Sequence, residues 1–279
     1  MEDRLRTLLR ERLGLDAGSV VRIDHGWDSI VFVVDGDWIV RVPRRPEVRE
    51  ALRREAALLP LLAPQLPVAV PQVAVFEDAS EFFVAYPRLE GEPLRHGVEN
   101  ARLGADAGSF LAALHAFPRS AALRASFESV SLAAWLDGQR AFAGRCEQVM
   151  SLLTREEQQA AHALFTDYLE RSHDFDPVVL HGDLGPEHLL AKAGRLSGVI
   201  DWGDARIGDP ALDLAWLLYG TGASFATEVL RAYGGDGDLR RRALYFRRLG
   251  PWHEVLFGLK HDRPNLVDSG LTGVRARLP

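Results

Sequence analysis

The chain has 279 residues, 47% hydrophobic and 26% charged, enough apolar content for one large core or two packed lobes. A formal net charge of −6 argues against a general nucleic-acid binder, which needs a basic face, and is compatible with a cationic ligand. The single cysteine, Cys146, excludes an intrachain disulfide and any cysteine-based zinc site. The first residues, MEDRLRTLLRERLG, are charged throughout, unlike a signal peptide, and no apolar run approaches the ~20 residues of a membrane span. A cytoplasmic enzyme with no membrane partner is the default expectation.

Leu5, Leu8, Leu9 and Leu13 share one helical face, and Gly14 ends the run. Strand patterns follow at Val20 to Ile23, Ile30 to Val34 and Trp38 to Val42, with Asp35-Gly36 a strong hairpin turn. Between the first two strands, His25-Gly26-Trp27-Asp28-Ser29 forms a second turn. Its backbone N–H groups and Ser29 have the chemistry to cover a nucleotide phosphate, although G-x-G-x-x-G is absent and a plain turn is the simpler reading of these residues alone. Arg41 stands between Val40 and Val42, so it needs an anionic partner. Residues 47–62 read as a helix with Glu55 at the edge of its apolar face, which makes an Arg41–Glu55 ion pair and a solvated Glu55 comparable readings. The only lysines are Lys192 and Lys260, so a cation in the first half must be Arg or His.

A hairpin at Val73 to Phe76 and Phe82 to Tyr86, turning through Glu77-Asp78-Ala79-Ser80, closes the strand-rich part. Helical patterns then dominate, near 100–116, 132–144, 154–171, 209–219, 223–233 and 238–260. The expected fold class is α+β, with a small antiparallel-sheet lobe over residues 1–87 and a larger, mainly helical lobe over 88–279. A cleft between them is the expected ligand site.

Residues 178–213 carry the chemistry. Apolar runs at 178–180 and 196–200 are followed by His181-Gly182-Asp183 and by Asp201-Trp202-Gly203-Asp204, with a short strand at His188-Leu189-Leu190 and a turn at Gly194 between them. The simplest geometry is a compact set of hairpins with Asp183 and Asp201 at its open end. Two carboxylates at strand ends suit a proton acceptor and a ligand for a divalent cation. Asp209, before Pro210, reads as a helix cap, and Asp213 as a structural hydrogen-bond acceptor.

Taken together, these segments resemble the aminoglycoside phosphotransferase family of the protein-kinase-like superfold. HGDLGPEHLL is similar to its catalytic loop, VIDWGDARIGDPALDLAW to its metal-binding segment, WDSIVFVVDGDWIVRVPR to its first hairpin and RREAALL to the helix that braces the strand cation. The resemblance implies Asp183 as the acceptor-side base, Asp201 and His188 as Mg²⁺ ligands, and Ser29, Arg41 and Glu55 at the phosphates of ATP or GTP. It implies backbone groups of Ala85, Tyr86 and Pro87 for the base. Asp204, Trp202, Glu187, Trp252, His253 and Glu254 are the candidates to line the acceptor site, with Trp135 a further apolar wall; core packing is the simpler reading of the tryptophans. Two positions depart from the common pattern. Arg41 replaces the usual Lys, with Arg44 as a competing cation, and Arg is longer and planar. His188 replaces Asn, and imidazole is a poor Mg²⁺ ligand, so weak binding, binding through water and phosphate contact are all open to it. Histidine there is similar to macrolide phosphotransferases and to one aminoglycoside subgroup.

The implied activity is transfer of a γ-phosphate to an antibiotic hydroxyl, on an aminoglycoside, a macrolide or a capreomycin/viomycin-type peptide, conferring resistance. A metabolic kinase for choline or a sugar and a nucleotide-binding pseudokinase are the alternatives. The expected partners are the nucleotide and the small-molecule acceptor, and the expected state is a monomer, with a dimer as the alternative.

Overall fold

The computed structural model describes residues 2–23, 28–78, 81–125 and 127–279. The first half holds α1 (Glu2–Leu13), β1 (Val20–Ile23), β2 (Ser29–Val34), β3 (Trp38–Pro43), α2 (Pro46–Leu62), β4 (Ala74–Glu77) and β5 (Phe82–Pro87). The five strands form one antiparallel sheet in the order β1-β2-β3-β5-β4. Asp35 and Gly36 both take positive φ, 51° and 78°, which matches the twist of a two-residue hairpin turn. Residues 24–27, expected to cover a phosphate, and Ala79-Ser80 of the later hairpin lie outside the described residues.

Alternation along β5 explains how this lobe closes. Phe83 and Ala85 face α1 and pack with Leu5, Leu8, Leu9, Phe32 and Val40, whereas Phe82 and Val84 face α2 and pack with Val48 and Leu52. The sheet is therefore covered on both sides, and β5 is buried from Phe82 to Tyr86, which its unbroken apolar run anticipates. The last turns of α2 join the other lobe: Leu58, Leu59 and Leu62 belong to the large core with Phe110, Leu111 and Leu114.

That second lobe contains β6 (Glu92–Pro93), α3 (Ala101–His115), α4 (Arg119–Leu123), α5 (Leu132–Met150), α6 (Arg155–Leu169), β7 (Val178–Leu180), a 3₁₀ turn at Pro186–His188, β8 (Leu189–Lys192), β9 (Arg195–Val199), β10 (Arg206–Gly208), α7 (Ala211–Tyr219), α8 (Ala223–Tyr233), α9 (Gly237–Lys260) and α10 (Pro264–Arg275). The helices expected from periodicity are present. The strands of the motif region differ from the expected hairpin set. β8 and β9 form a hairpin, turning at Ala193 and Gly194 with φ of 51° and 74°, but β7 pairs with β10 instead. His188 sits in the 3₁₀ turn, so β8 begins one residue later than expected. No described helix is long and apolar enough to cross a membrane.

Candidate active site

His181, just past β7, is fully buried and fixes the loop that follows. Its Nε2–H donates to the Ile200 carbonyl at 2.9 Å, and its Nδ1 accepts the Asp183 N–H at 3.3 Å. One imidazole thus joins the residue that precedes Asp201 to Asp183 itself. Burial, with repulsion from His188, holds its pKa below the usual histidine value, which keeps the ring neutral and the tautomer single. From α7, the buried Asp213 carboxylate accepts the N–H groups of His181 and Gly182, both at 2.8 Å, and Nε2–H of His115 at 3.2 Å. Burial would raise the Asp213 pKa, but His115, His181 and the Gly182 N–H outweigh it, so the carboxyl stays below its ordinary range. Gly182 has φ of 87°, and a Cβ there would meet the Asp204 carbonyl at 2.1 Å, so only glycine fits.

The Asp183 carboxylate opens into the cleft with about half its side chain exposed (54%). The protein wall desolvates it and Asp204, Asp201 and Glu187 repel its charge. Against the pull of His188, these push its pKa up to about 6. Asp201 has the opposite balance. It accepts Nη2–H of Arg41 at 3.1 Å, and although burial acts to raise its pKa, Arg41, His188 and His181 hold it below the ordinary carboxylate value. Its φ of 64° is unusual for a non-glycine residue. His188 lies between the two acids. Nδ1–H donates to the Asp183 carbonyl at 2.6 Å, leaving Nε2 3.8 Å from Asp201 Oδ2. Burial acts to lower its pKa, and the two carboxylates override that and raise it.

The cation expected from the small lobe is Arg41. Its Nη1 donates to both oxygens of Glu55, at 3.1 and 2.9 Å, and both residues are buried. Glu55 has its pKa raised by desolvation, partly offset by Arg41. The ion pair read from the sequence is therefore present, and the third bond, to Asp201, adds a tie across the cleft that the pattern did not reveal. Tyr86 packs against the same guanidinium, and desolvation raises its pKa. Ser29 is buried and its Oγ has no hydrogen-bond partner. β4 pairs with β5 only as far as Ala85, so on that side the backbone of Tyr86 and Pro87 lies outside the ladder.

The acceptor candidates separate. Trp202 and Trp252 are each 1% exposed and are core residues, not cleft walls: the Trp202 indole donates to the Val199 carbonyl at 3.1 Å and packs on His181, and Trp252 packs edge-on against Phe165. Trp135 is buried too, its indole N–H on the Tyr168 hydroxyl at 3.2 Å. Asp204 and Glu187 are exposed, paired with Arg206 and with His96. His253 is exposed at its edge and stacks on Phe142 at 4.3 Å; desolvation, with Arg206 and Arg145, pushes its pKa down to about 4. Glu254 accepts from Ser269 Oγ at 2.6 Å. Asp209 accepts the Ala211 N–H at 2.9 Å in an Asx-type turn just ahead of α7, whose N-cap is Pro210 and not Asp209 as the sequence suggested, and it is also in a buried ion pair with Arg242. His181 was the residue the sequence understated; a histidine between an apolar strand and Gly-Asp was its only signal.

A small sheet lobe and a helical lobe, with two acids on adjoining loops and a braced cation opposite them, define a protein-kinase-like phosphotransferase. The chain belongs to the phosphotransferase enzyme family, whose model matches residues 19–245. It is similar to the structure of the GDP and kanamycin complex of APH(2")-IIia, with TM-score 0.91, 25% identity and coverage of 99% of this chain and 98% of that one. It is similar also to macrolide 2'-phosphotransferase MphH from Brachybacterium faecium, with TM-score 0.81, 28% identity and 98% of each chain covered. Viomycin phosphotransferase of Streptomyces vinaceus is 36% identical over 107 residues, a match that spans 35% of this chain and 36% of that protein.

Proposed function

We propose that this chain is an antibiotic O-phosphotransferase that moves the γ-phosphate of ATP or GTP to an acceptor hydroxyl. The observation that carries the reading is the arrangement of Asp183, His188 and Asp201 opposite the Arg41–Glu55 pair. Asp183, ionised at neutral pH and open to the cleft, orients the hydroxyl and accepts its proton. Arg41, held flat by Glu55, binds phosphate oxygens, and Ser29 Oγ offers a donor close by. The backbone of Tyr86 and Pro87, next to Ala85 and beyond the β4–β5 ladder, receives the nucleotide base.

The donor set fits Mg²⁺, which keeps several waters and phosphate oxygens and asks for only one or two protein ligands. Among the described residues no group of three or more acids, histidines or cysteines could hold a metal. Asp201 is the hard oxygen ligand. His188, its Nδ1–H taken by a carbonyl, presents Nε2 on the same side, and because imidazole is a poor Mg²⁺ ligand it joins the set weakly or through a coordinated water. When bound, the ion neutralises charge on the nucleotide phosphates.

For the acceptor, Asp204, Glu187, His253 and Glu254 remain in the proposal and Trp202 and Trp252 leave it. A lobe boundary at 87/88, a monomer and a cytoplasmic location complete the reading. The test is a panel of aminoglycosides, macrolides and capreomycin/viomycin-type peptides run with ATP and with GTP, alongside expression in a sensitive host. Phosphorylation of a panel member together with protection against it supports the proposal; turnover of a metabolic alcohol with protection against no class overturns it.

A further inference from the structure

Arginines such as Arg195 and Arg53 are matched to acids, Asp106 and Glu77. Arg247 on α9 and Arg277 after α10 are not: among the described residues neither has an ion-pair partner. Both guanidiniums instead lie against the Trp216 indole on α7, 4.0 and 5.2 Å from the ring centre. Arg247 Nε donates to the Tyr219 carbonyl at 3.4 Å and Arg277 Nη1 to the Arg247 carbonyl at 3.2 Å, which holds both planar groups in place. Arg247 Nη1 is buried and makes no hydrogen bond. Desolvation and the neighbouring Arg277 push the Arg247 pKa down to about 10. Glu254 acts on Arg277 from a distance, but its carboxylate is bonded to Ser269. At Gly250, a Cβ would lie 3.0 Å from the Trp216 ring and 3.4 Å from Arg277 Nη1, so α9 leaves room for the cluster.

Two oriented guanidiniums against one indole, mutually repelling and with a buried N–H unmatched, call for an anion. A carboxylate or phosphate group satisfies several of their N–H donors at once, and little ordering remains to oppose binding. The cluster is also connected to the catalytic loop. The Trp216 ring is 6.0 Å from that of His96, whose Nε2 is 3.4 Å from Glu187, and Glu187 is among the acids that raise the Asp183 pKa.

We infer that Arg247, Arg277 and Trp216 form a subsite for an oxyanion, a carboxylate or phosphate group, linked to the catalytic loop through His96 and Glu187. The subsite stands on its own geometry; only the assignment of the anion to the acceptor molecule rests on the proposed phosphotransfer reading.

Inorganic phosphate is the probe. It is titrated calorimetrically into the full chain at constant ionic strength, with a nucleoside diphosphate saturating so that Arg41 and Ser29 are occupied. Arg277→Gln removes one guanidinium outside the core, and Arg247→Lys keeps the charge while losing the fork. Saturable binding that weakens at least tenfold in both variants, with their circular dichroism unchanged, supports the subsite. Equal binding in parent and variants, or no saturable binding in the parent, overturns it, whether or not the enzyme phosphorylates anything. Kinetics with the acceptor found in the panel then separates the two sources. Phosphate that raises KM for the acceptor at unchanged kcat identifies the oxyanion as a group on the acceptor; phosphate that leaves that KM unchanged identifies a free anion.

Discussion

The loops after β7 and β9 each present an aspartate to the same cleft, and their surroundings drive the two acids apart. Asp183 faces Asp204, Asp201 and Glu187 and rises to about 6, whereas Asp201 faces Arg41, His188 and His181 and falls below the ordinary range. Residue type is identical and exposure nearly so, 54% and 51% of the side chain. The difference is therefore set by neighbouring charge. A raised carboxylate gains proton affinity and suits a base; a depressed one stays anionic and suits a cation.

The largest effect that tests this division is on catalysis. Asp183→Asn should lower kcat by about 10²–10⁴-fold, the range for loss of a positioned base, while nucleotide affinity measured by calorimetry stays within a few-fold. Loss of nucleotide binding would move Asp183 out of the role of base. The same variant should be more stable than the parent at pH 7.5 and no more stable at pH 4. The folded-state pKa of Asp183 lies above its unfolded value, so the native state holds the extra proton, and stability declines as pH rises from about 4 to about 6. Melting temperatures at the two pH values decide it.

Next in size is Arg41→Met. It leaves Glu55 buried without its partner, which should cost about 3–5 kcal/mol in urea unfolding at pH 7, and it should raise the Asp201 pKa by removing the strongest attraction on it. A cost under 1 kcal/mol would mean that Glu55 takes up a proton or finds water. The smallest effect is electrostatic. Asp204→Asn removes one negative neighbour and should lower the Asp183 midpoint, followed by carboxyl-carbon NMR in the ligand-free protein; an upward shift would contradict the assigned repulsion.

What could be read in advance follows the range of the interactions. Asp183, Asp201 and Arg41 stood out as candidates because each sits in a distinctive local frame of β-branched flanks, whereas for Glu55 an ion pair and a solvated charge were comparable until the structure showed its bonds to Arg41. The fold class followed from the change of period at residue 88. The β7–β10 pairing was not legible: it joins two three-residue strands with 25 residues between them, and only the finished core selects it. Trp202 and Trp252 were ambiguous because an indole suits a cleft wall and a core equally, and packing partners far along the chain decide. α10 left a usable mark in Pro264, at the first helical position, but Gly270 and Gly273 weaken its helical pattern. Both glycines lie close to α9, where an added methyl would meet Val255 and Pro251.

The two bonds of the His181 ring have a consequence for turnover. Because one rigid group spans from the Asp183 amide to the Ile200 carbonyl, the acids share a frame wholly within the larger lobe. Arg41 alone among the central charges rides on the sheet. Separating the lobes to release product would break the 3.1 Å contact to Asp201 and carry the cation away, while the carboxylates keep their spacing. Each cycle would then need to re-engage that charged contact, much as a clutch re-engages a shaft already in line.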